Sequence, residues 1–187
     1  MTVAEHVILF AGPMGAGKTT AIRTLSDIEM VTTEAANSER HVVDKATTTV
    51  ALDYGEITVG DEEKVRLYGV PGQKRFDFMW TILKERAKGM VLLVNNDAPE
   101  PIALALDYLK DFSQLVENGC VVVGVSRRDI NRLPTPDDYA DAIADAYPDV
   151  LVPVFTVDPR NVDQMKTVLL TLVASLERDE STKELVQ

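Results

Sequence analysis

The sequence predicts an α/β protein built on a mainly parallel sheet with helices on both faces. Three observations carry that prediction. Short all-apolar runs alternate with amphipathic segments, the rhythm of β-α units whose strands are covered on both sides. The first run, Val7 to Ala11, leads directly into Gly12-Pro13-Met14-Gly15-Ala16-Gly17-Lys18-Thr19, a full match to the phosphate-loop pattern G-x-x-x-x-G-K-[ST]. And 187 residues with 45% hydrophobic content suffice for one domain whose core needs no disulfide or metal.

Taken in order, Val7 to Ala11 is a buried strand and Thr20 to Leu25 opens the helix after the loop. The pattern fades over Ser26 to Met30, and polar Thr32 to Lys45 reads as a long loop, a place where function concentrates. Thr47 to Ile57 and Val65 to Val70 are rich in β-branched and aromatic residues, with Gly60-Asp61-Glu62-Glu63 as the turn of an antiparallel hairpin. Pro71 to Arg75 interrupts, and Phe76 to Ala87 reads as a helix. Met90 to Val94 is a strand; Pro101 to Val116 is a helix with Pro101 in its first turn. Val121 to Val125 is a strand, and Thr135 to Ala146 a helix entered through Pro136. Val150 to Phe155 is the last strand, with Pro153 pointing to a sheet edge. Val162 to Leu176 closes the domain. The expected sheet has six strands, one of them an antiparallel edge strand from the hairpin. Residues 1–178 form the single domain, and 179–187 a charged, frayed tail.

A formal charge of −11 argues against nucleic acid or an anionic membrane as a general partner. Cys120 is the only cysteine, which excludes a disulfide framework and fits a reducing, cytoplasmic setting. No apolar stretch reaches the about 20 residues that span a bilayer, and neither end carries a lipidation signal, so no direct membrane anchor is expected.

The phosphate loop carries the chemistry. Gly12, Gly15 and Gly17 let the backbone close around a phosphate chain with its N–H groups inward, and Met14, Ala16 and Thr20 share that contact. The following helix presents its positive dipole end to the same phosphates. Lys18 supplies a point charge to the β- and γ-phosphates, and the Thr19 hydroxyl a magnesium ligand. A nucleoside triphosphate follows. The base does not.

A second stretch, Leu67-Tyr68-Gly69-Val70-Pro71-Gly72-Gln73, places Pro-Gly-Gln after a hydrophobic strand. It resembles the second switch of Ras-like small GTPases, and Thr49 to Tyr54 resembles their first switch. The resemblance is nearest to bacterial members, the MglA-type and conservon-type small GTPases, and covers almost the whole chain. It implies a Ras-like P-loop NTPase fold, GTP and GDP as bound nucleotides, Mg2+, and slow GTP hydrolysis that a partner stimulates. Residue by residue, it implies Thr49 as magnesium ligand and γ-phosphate sensor, with Thr47 or Thr48 as alternates. Gly72 would donate its N–H to the γ-phosphate, and Gln73 would orient the attacking water. Ser126-Arg127-Arg128-Asp129 stands where the family carries Asn-Lys-x-Asp. There Asp129 would accept two hydrogen bonds from guanine, Arg127 would cover the base, and Ser126 would bond the base or the loop. Thr156, Val157 and Asp158 fall where the last base-contacting loop lies.

Two departures shape these expectations. The family's magnesium-holding aspartate is replaced by Gly69, as in MglA-type proteins, which predicts weaker magnesium binding. Met14 puts a bulky side chain beside Gln73, which predicts slow intrinsic hydrolysis. The resemblance also implies GTPase-activating and effector proteins as partners, roadblock-type adaptors among them. Two other classes compete with the switch. One is a small-molecule kinase, against which stands the near absence of arginines from the long loop, which holds only Arg40. The other is a degenerate, non-catalytic nucleotide-binding module, against which stand Lys18, Thr19 and Gln73.

Overall fold

A computed structural model describes residues 5–35, 50–60, 63–72 and 77–185. A seven-stranded sheet in the order β2-β3-β4-β1-β5-β6-β7 forms its centre. The strands are β1 (Glu5–Ala11), β2 (Val31–Ala35), β3 (Val50–Val59), β4 (Glu63–Gly69), β5 (Gly89–Asn95), β6 (Val121–Ser126) and β7 (Val154–Thr156). The helices are α1 (Lys18–Leu25), α2 (Asp77–Arg86), α3 (Pro101–Asp111), α4 (Ser113–Glu117), α5 (Pro136–Ala146) and α6 (Val162–Leu185).

β4, β1, β5, β6 and β7 are parallel neighbours, and the apolar runs of β1, β5 and β6 suit a sheet covered on both faces. β5 and β6 are buried at nearly every position because both faces are covered. On one face α1 and α6 pack Ile22, Leu25, Met165, Leu169 and Leu172 against Ile8, Phe10 and Val91. On the other, helices α2 to α5 bring Trp80, Tyr108, Leu109, Phe112, Tyr139 and Ile143 against Leu9, Leu92 and Val123.

The sheet departs from the expected one in strand count and in its edge. Val31–Ala35 pairs with β3 as a seventh strand, so the expected loop beginning at Thr32 is strand as far as Ala35. The antiparallel strand β3 therefore lies inside the sheet, between β2 and β4, and not at its edge. Val31 and Thr32 are exposed, so β2 lacks the apolar run that betrays a strand. The expected helix over Pro101 to Val116 is two helices broken at Phe112, whose φ of −113° and ψ of 31° are not helical. The last strand is shorter than expected, although β7 does lie at the edge that Pro153 indicates. α6 runs through 179–185 to Leu185. Glu, Arg and Lys are good helix formers.

Candidate functional site

At the carboxyl end of β1 the chain turns through Gly12, whose φ of 136° belongs to glycine. A Cβ there would lie 2.0 Å from the Leu93 carbonyl oxygen, so the loop is seated directly on β5. The loop then wraps back to Gly17, the left-handed N-cap residue of α1. Lys18 Nζ donates to the carbonyls of Gly12 (2.7 Å) and Pro13 (2.8 Å), which fixes the ammonium at the loop's centre. Burial lowers its pKa to about 8, against the opposing pull of Asp53. A cation so desolvated gains from any phosphate that reaches it.

Beside the loop stands a group that linear reading missed. The Thr19 hydroxyl donates to Asp53 Oδ2, and Thr32 Oγ1 donates to Asp53 Oδ1 at 3.2 Å. Asp53 sits in a cross-strand row, paired with Thr32 of β2 on one side and Gly69 of β4 on the other. A Cβ on Gly69 would meet Asp53 Cβ at 3.1 Å and Oδ2 at 3.5 Å. The carboxylate expected on β4 is thus absent at position 69, and one on the neighbouring strand occupies the adjoining space. A hydroxyl and a carboxylate are the hard oxygen donors that magnesium takes, so the residues present fit that ion. Among the described residues no group of three or more His, Cys, Asp or Glu is placed to hold a metal, so substrate phosphate and water would complete its shell.

From the loop a cleft of about 710 Å³ extends along the ends of β6 and β7. Of the expected nucleotide-binding residues it brings together Gly15, Ala16, Gly17, Thr20, Ser126, Arg127, Asp129, Thr156, Val157 and Asp158. Gly12, Met14, Lys18, Thr19 and Gly72 are not among its walls; Met14 is 66% exposed. Arg128, Ile130, Pro159, Arg160 and Gln164 also line it, and no motif signalled them. Ser126 is buried, and its hydroxyl donates to the Ala16 carbonyl at 3.1 Å, so it ties the end of β6 to the phosphate loop. Arg127, at a φ of 59°, spans the same gap. Its Nη1 reaches Asp97 Oδ2 at 2.9 Å and its Nη2 reaches the Gly15 carbonyl at 3.1 Å. That bond to Arg127, with one from Asn95, holds the Asp97 carboxyl below its ordinary range. Asp129 is exposed at the cleft wall. Asp158 is held at a pKa of about 2, chiefly by its bonds to Arg160. Val157 is buried and its N–H donates to the Val125 carbonyl at 3.0 Å, so it serves the sheet more than the cleft.

The segment carrying Asp129 is pinned from beneath. Asn96 is fully buried; its Nδ2 donates to the carbonyls of Asn131 (2.6 Å) and Pro134 (3.1 Å). Tyr139 Oη donates to Asn96 Oδ1 at 2.8 Å, and Asn131 Nδ2 to the Asn96 carbonyl at 3.2 Å. Gly72 closes the phosphate end: a Cβ there would lie 2.7 Å from Met14 N and 2.9 Å from the Gly12 carbonyl oxygen. The expected Thr49, its alternates Thr47 and Thr48, and Gln73 lie outside the described residues.

Residues 27–187 match the model of a family described as conserved hypothetical ATP binding protein. The chain belongs to this family. Nucleotide binding is therefore a property of the family as well as of the loop, while the match begins beyond Thr19, so the two lines of support are independent. The chain is also similar to an uncharacterized protein of the archaeon Methanocaldococcus jannaschii, 35% identical over 75 residues. That match covers 40% of this chain and 41% of the relative's length. Among the described residues no helix is long and apolar enough to cross a membrane.

Proposed function

We propose that this member of the ATP-binding family is a Ras-like nucleotide switch that prefers guanine, binds GTP and GDP, and hydrolyses GTP slowly. The observation behind the reading is the continuity of one cleft from the phosphate loop to Asp129, bridged by Ser126 and Arg127. A carboxylate at that wall accepts both the N1 and exocyclic amine protons of guanine; adenine lacks that donor pair and would leave it unpaired. The Arg127 stem lines the same cleft and would cover the base.

On the phosphate side, Lys18 and the loop N–H groups balance charge on the β- and γ-phosphates. The Gly72 N–H meets the terminal phosphate, and Gln73 orients the water for in-line attack, by resemblance to the switch family. Thr19 and, through water, Asp53 would hold a magnesium ion, which supplies neutralisation of the phosphate oxygens. Asp53 offers what Gly69 lacks. Effector and activating proteins, roadblock-type adaptors among them, and a cytoplasmic site of action belong to this same reading.

Competition of labelled GTP against GDP and ATP, with and without magnesium, tests it on the wild type and Asp129→Ala. We expect GTP to be favoured over ATP by about a hundredfold, with the preference collapsing in Asp129→Ala, since an unpaired donor or acceptor costs about 1–3 kcal/mol. ATP bound as tightly as GTP would instead follow the family's description and sink the guanine assignment.

A further inference from the structure

We propose that Trp80 and Tyr108 are positioning residues that aim Gly72 at the terminal phosphate, and so set the preference of the site for triphosphate over diphosphate. The proposal rests on the nucleotide-switch reading and adds to it the device that makes Gly72 sense the third phosphate.

Pro71 and Gly72 leave β4 just after the Val70 N–H has bonded the Phe10 carbonyl at 2.8 Å. Two donors from two different helices take the next two carbonyls. Trp80 Nε1–H of α2 donates to the Pro71 carbonyl at 3.2 Å, and Tyr108 Oη of α3 donates to the Gly72 carbonyl at 3.1 Å. Both donors are buried. The Pro71 carbonyl and the Gly72 N–H belong to one planar trans peptide, so they point in opposite directions. Holding the carbonyl against Trp80 therefore turns the Gly72 N–H away from the helices. Tyr108 fixes the following peptide, the one that leads into Gln73. With two consecutive peptide planes fixed, Gly72 has little rotational freedom left where it adjoins Gly12 and Met14.

The donors are themselves braced. The Trp80 ring lies with its centroid 5.7 Å from that of Tyr108 and 5.4 Å from that of Phe112. Phe112 is the residue at which α3 and α4 break. Burial, with Asp111 adding to it, raises the Tyr108 pKa to about 12, so the hydroxyl keeps the proton it donates across the physiological range. Neither side chain is among the cleft walls, so the diphosphate and base contacts do not depend on them directly.

Trp80 is the only tryptophan in the chain, so its emission reports this contact without a label. The test compares GDP with guanosine imidotriphosphate, and ADP with adenosine imidotriphosphate in parallel, on wild type, Tyr108→Phe and Trp80→Phe. Wild-type emission should differ between the triphosphate and diphosphate complexes. Each substitution should weaken the imidotriphosphate by about fivefold while the diphosphate changes by less than about twofold, since one directed hydrogen bond is worth about 1 kcal/mol. Tyr108→Phe removes one oxygen and spares the packing, and retained diphosphate affinity shows that the variant folds. Equal loss of both nucleotides, loss of neither, or identical wild-type emission in both complexes would overturn the proposal while leaving the switch reading standing. A wild type that binds none of the four nucleotides would overturn the switch reading and the proposal with it.

Discussion

The base end and the phosphate end of the cleft are held in opposite ways. The loop bearing Asp129 is fastened from the core by a fully buried asparagine that bonds two of its carbonyls and is itself clamped by Tyr139 and Asn131. Pro71-Gly72 has no such footing within the sheet. It hangs on two side-chain donors from separate helices. A fully satisfied buried network rigidifies what it holds. A segment held by two neutral hydrogen bonds yields for about 1 kcal/mol each. The loop bearing Asp129 is thus tied to one buried residue, whereas Pro71-Gly72 is tied to the packing of two helices, α2 and α3.

The comparison is broken most severely at its fixed end. Asn96→Ala strands the Tyr139 hydroxyl in the core and frees two loop carbonyls, and should lower stability by about 3 kcal/mol in urea unfolding. Base discrimination should fall with it. A variant as stable as the wild type would mean that the network does not carry the loop.

At the phosphate end the expected effect depends on pH. Lys18 is lowered to about 8, and bound phosphates raise it again by favouring the charged ammonium. The complex therefore keeps a proton that the free protein loses above that pH. Nucleotide affinity should be full below pH about 8 and decline by up to about tenfold per unit above it. Calorimetric titration in buffers of different ionisation enthalpy measures the proton taken up, and no uptake at pH about 9 would contradict the assignment.

The smallest expected effect sharpens the comparison between the two sides of the phosphate site. Asp53→Asn keeps the shape but removes the charge next to Thr19. The magnesium concentration for half-maximal GTP binding should rise severalfold, while metal-free GDP binding stays near the wild-type value. An unchanged magnesium requirement would remove Asp53 from the ion's surroundings.

What could be read from the chain was contiguous. The phosphate loop announces itself because its eight residues, Gly12 to Thr19, act as one local unit, and the apolar strands because burial on both faces leaves no alternation. Strand β2 escaped because Val31-Thr32-Thr33-Glu34-Ala35 has strand-forming residues but no apolar run. The break at Phe112 escaped because the apolar spacing continues through it. Ser126 and Arg127 were placed by position alone, and only the folded chain shows that they grip the phosphate loop. Asp53 was out of reach for a different reason. Its meaning depends on sheet register, which no local pattern states.

That register has a consequence for anyone who edits this corner. Neighbouring strands lie about 4.8 Å apart, so one spatial address can be reached from two distant points of the chain. Here the two points crowd each other: a Cβ at Gly69 would lie 3.1 Å from Asp53 Cβ. An acid placed on β4 at position 69 would have to share this corner with the one on β3, and its first carbon already crowds Asp53 and Ile22. Positions 53 and 69, sixteen residues apart in the chain, are therefore edited together.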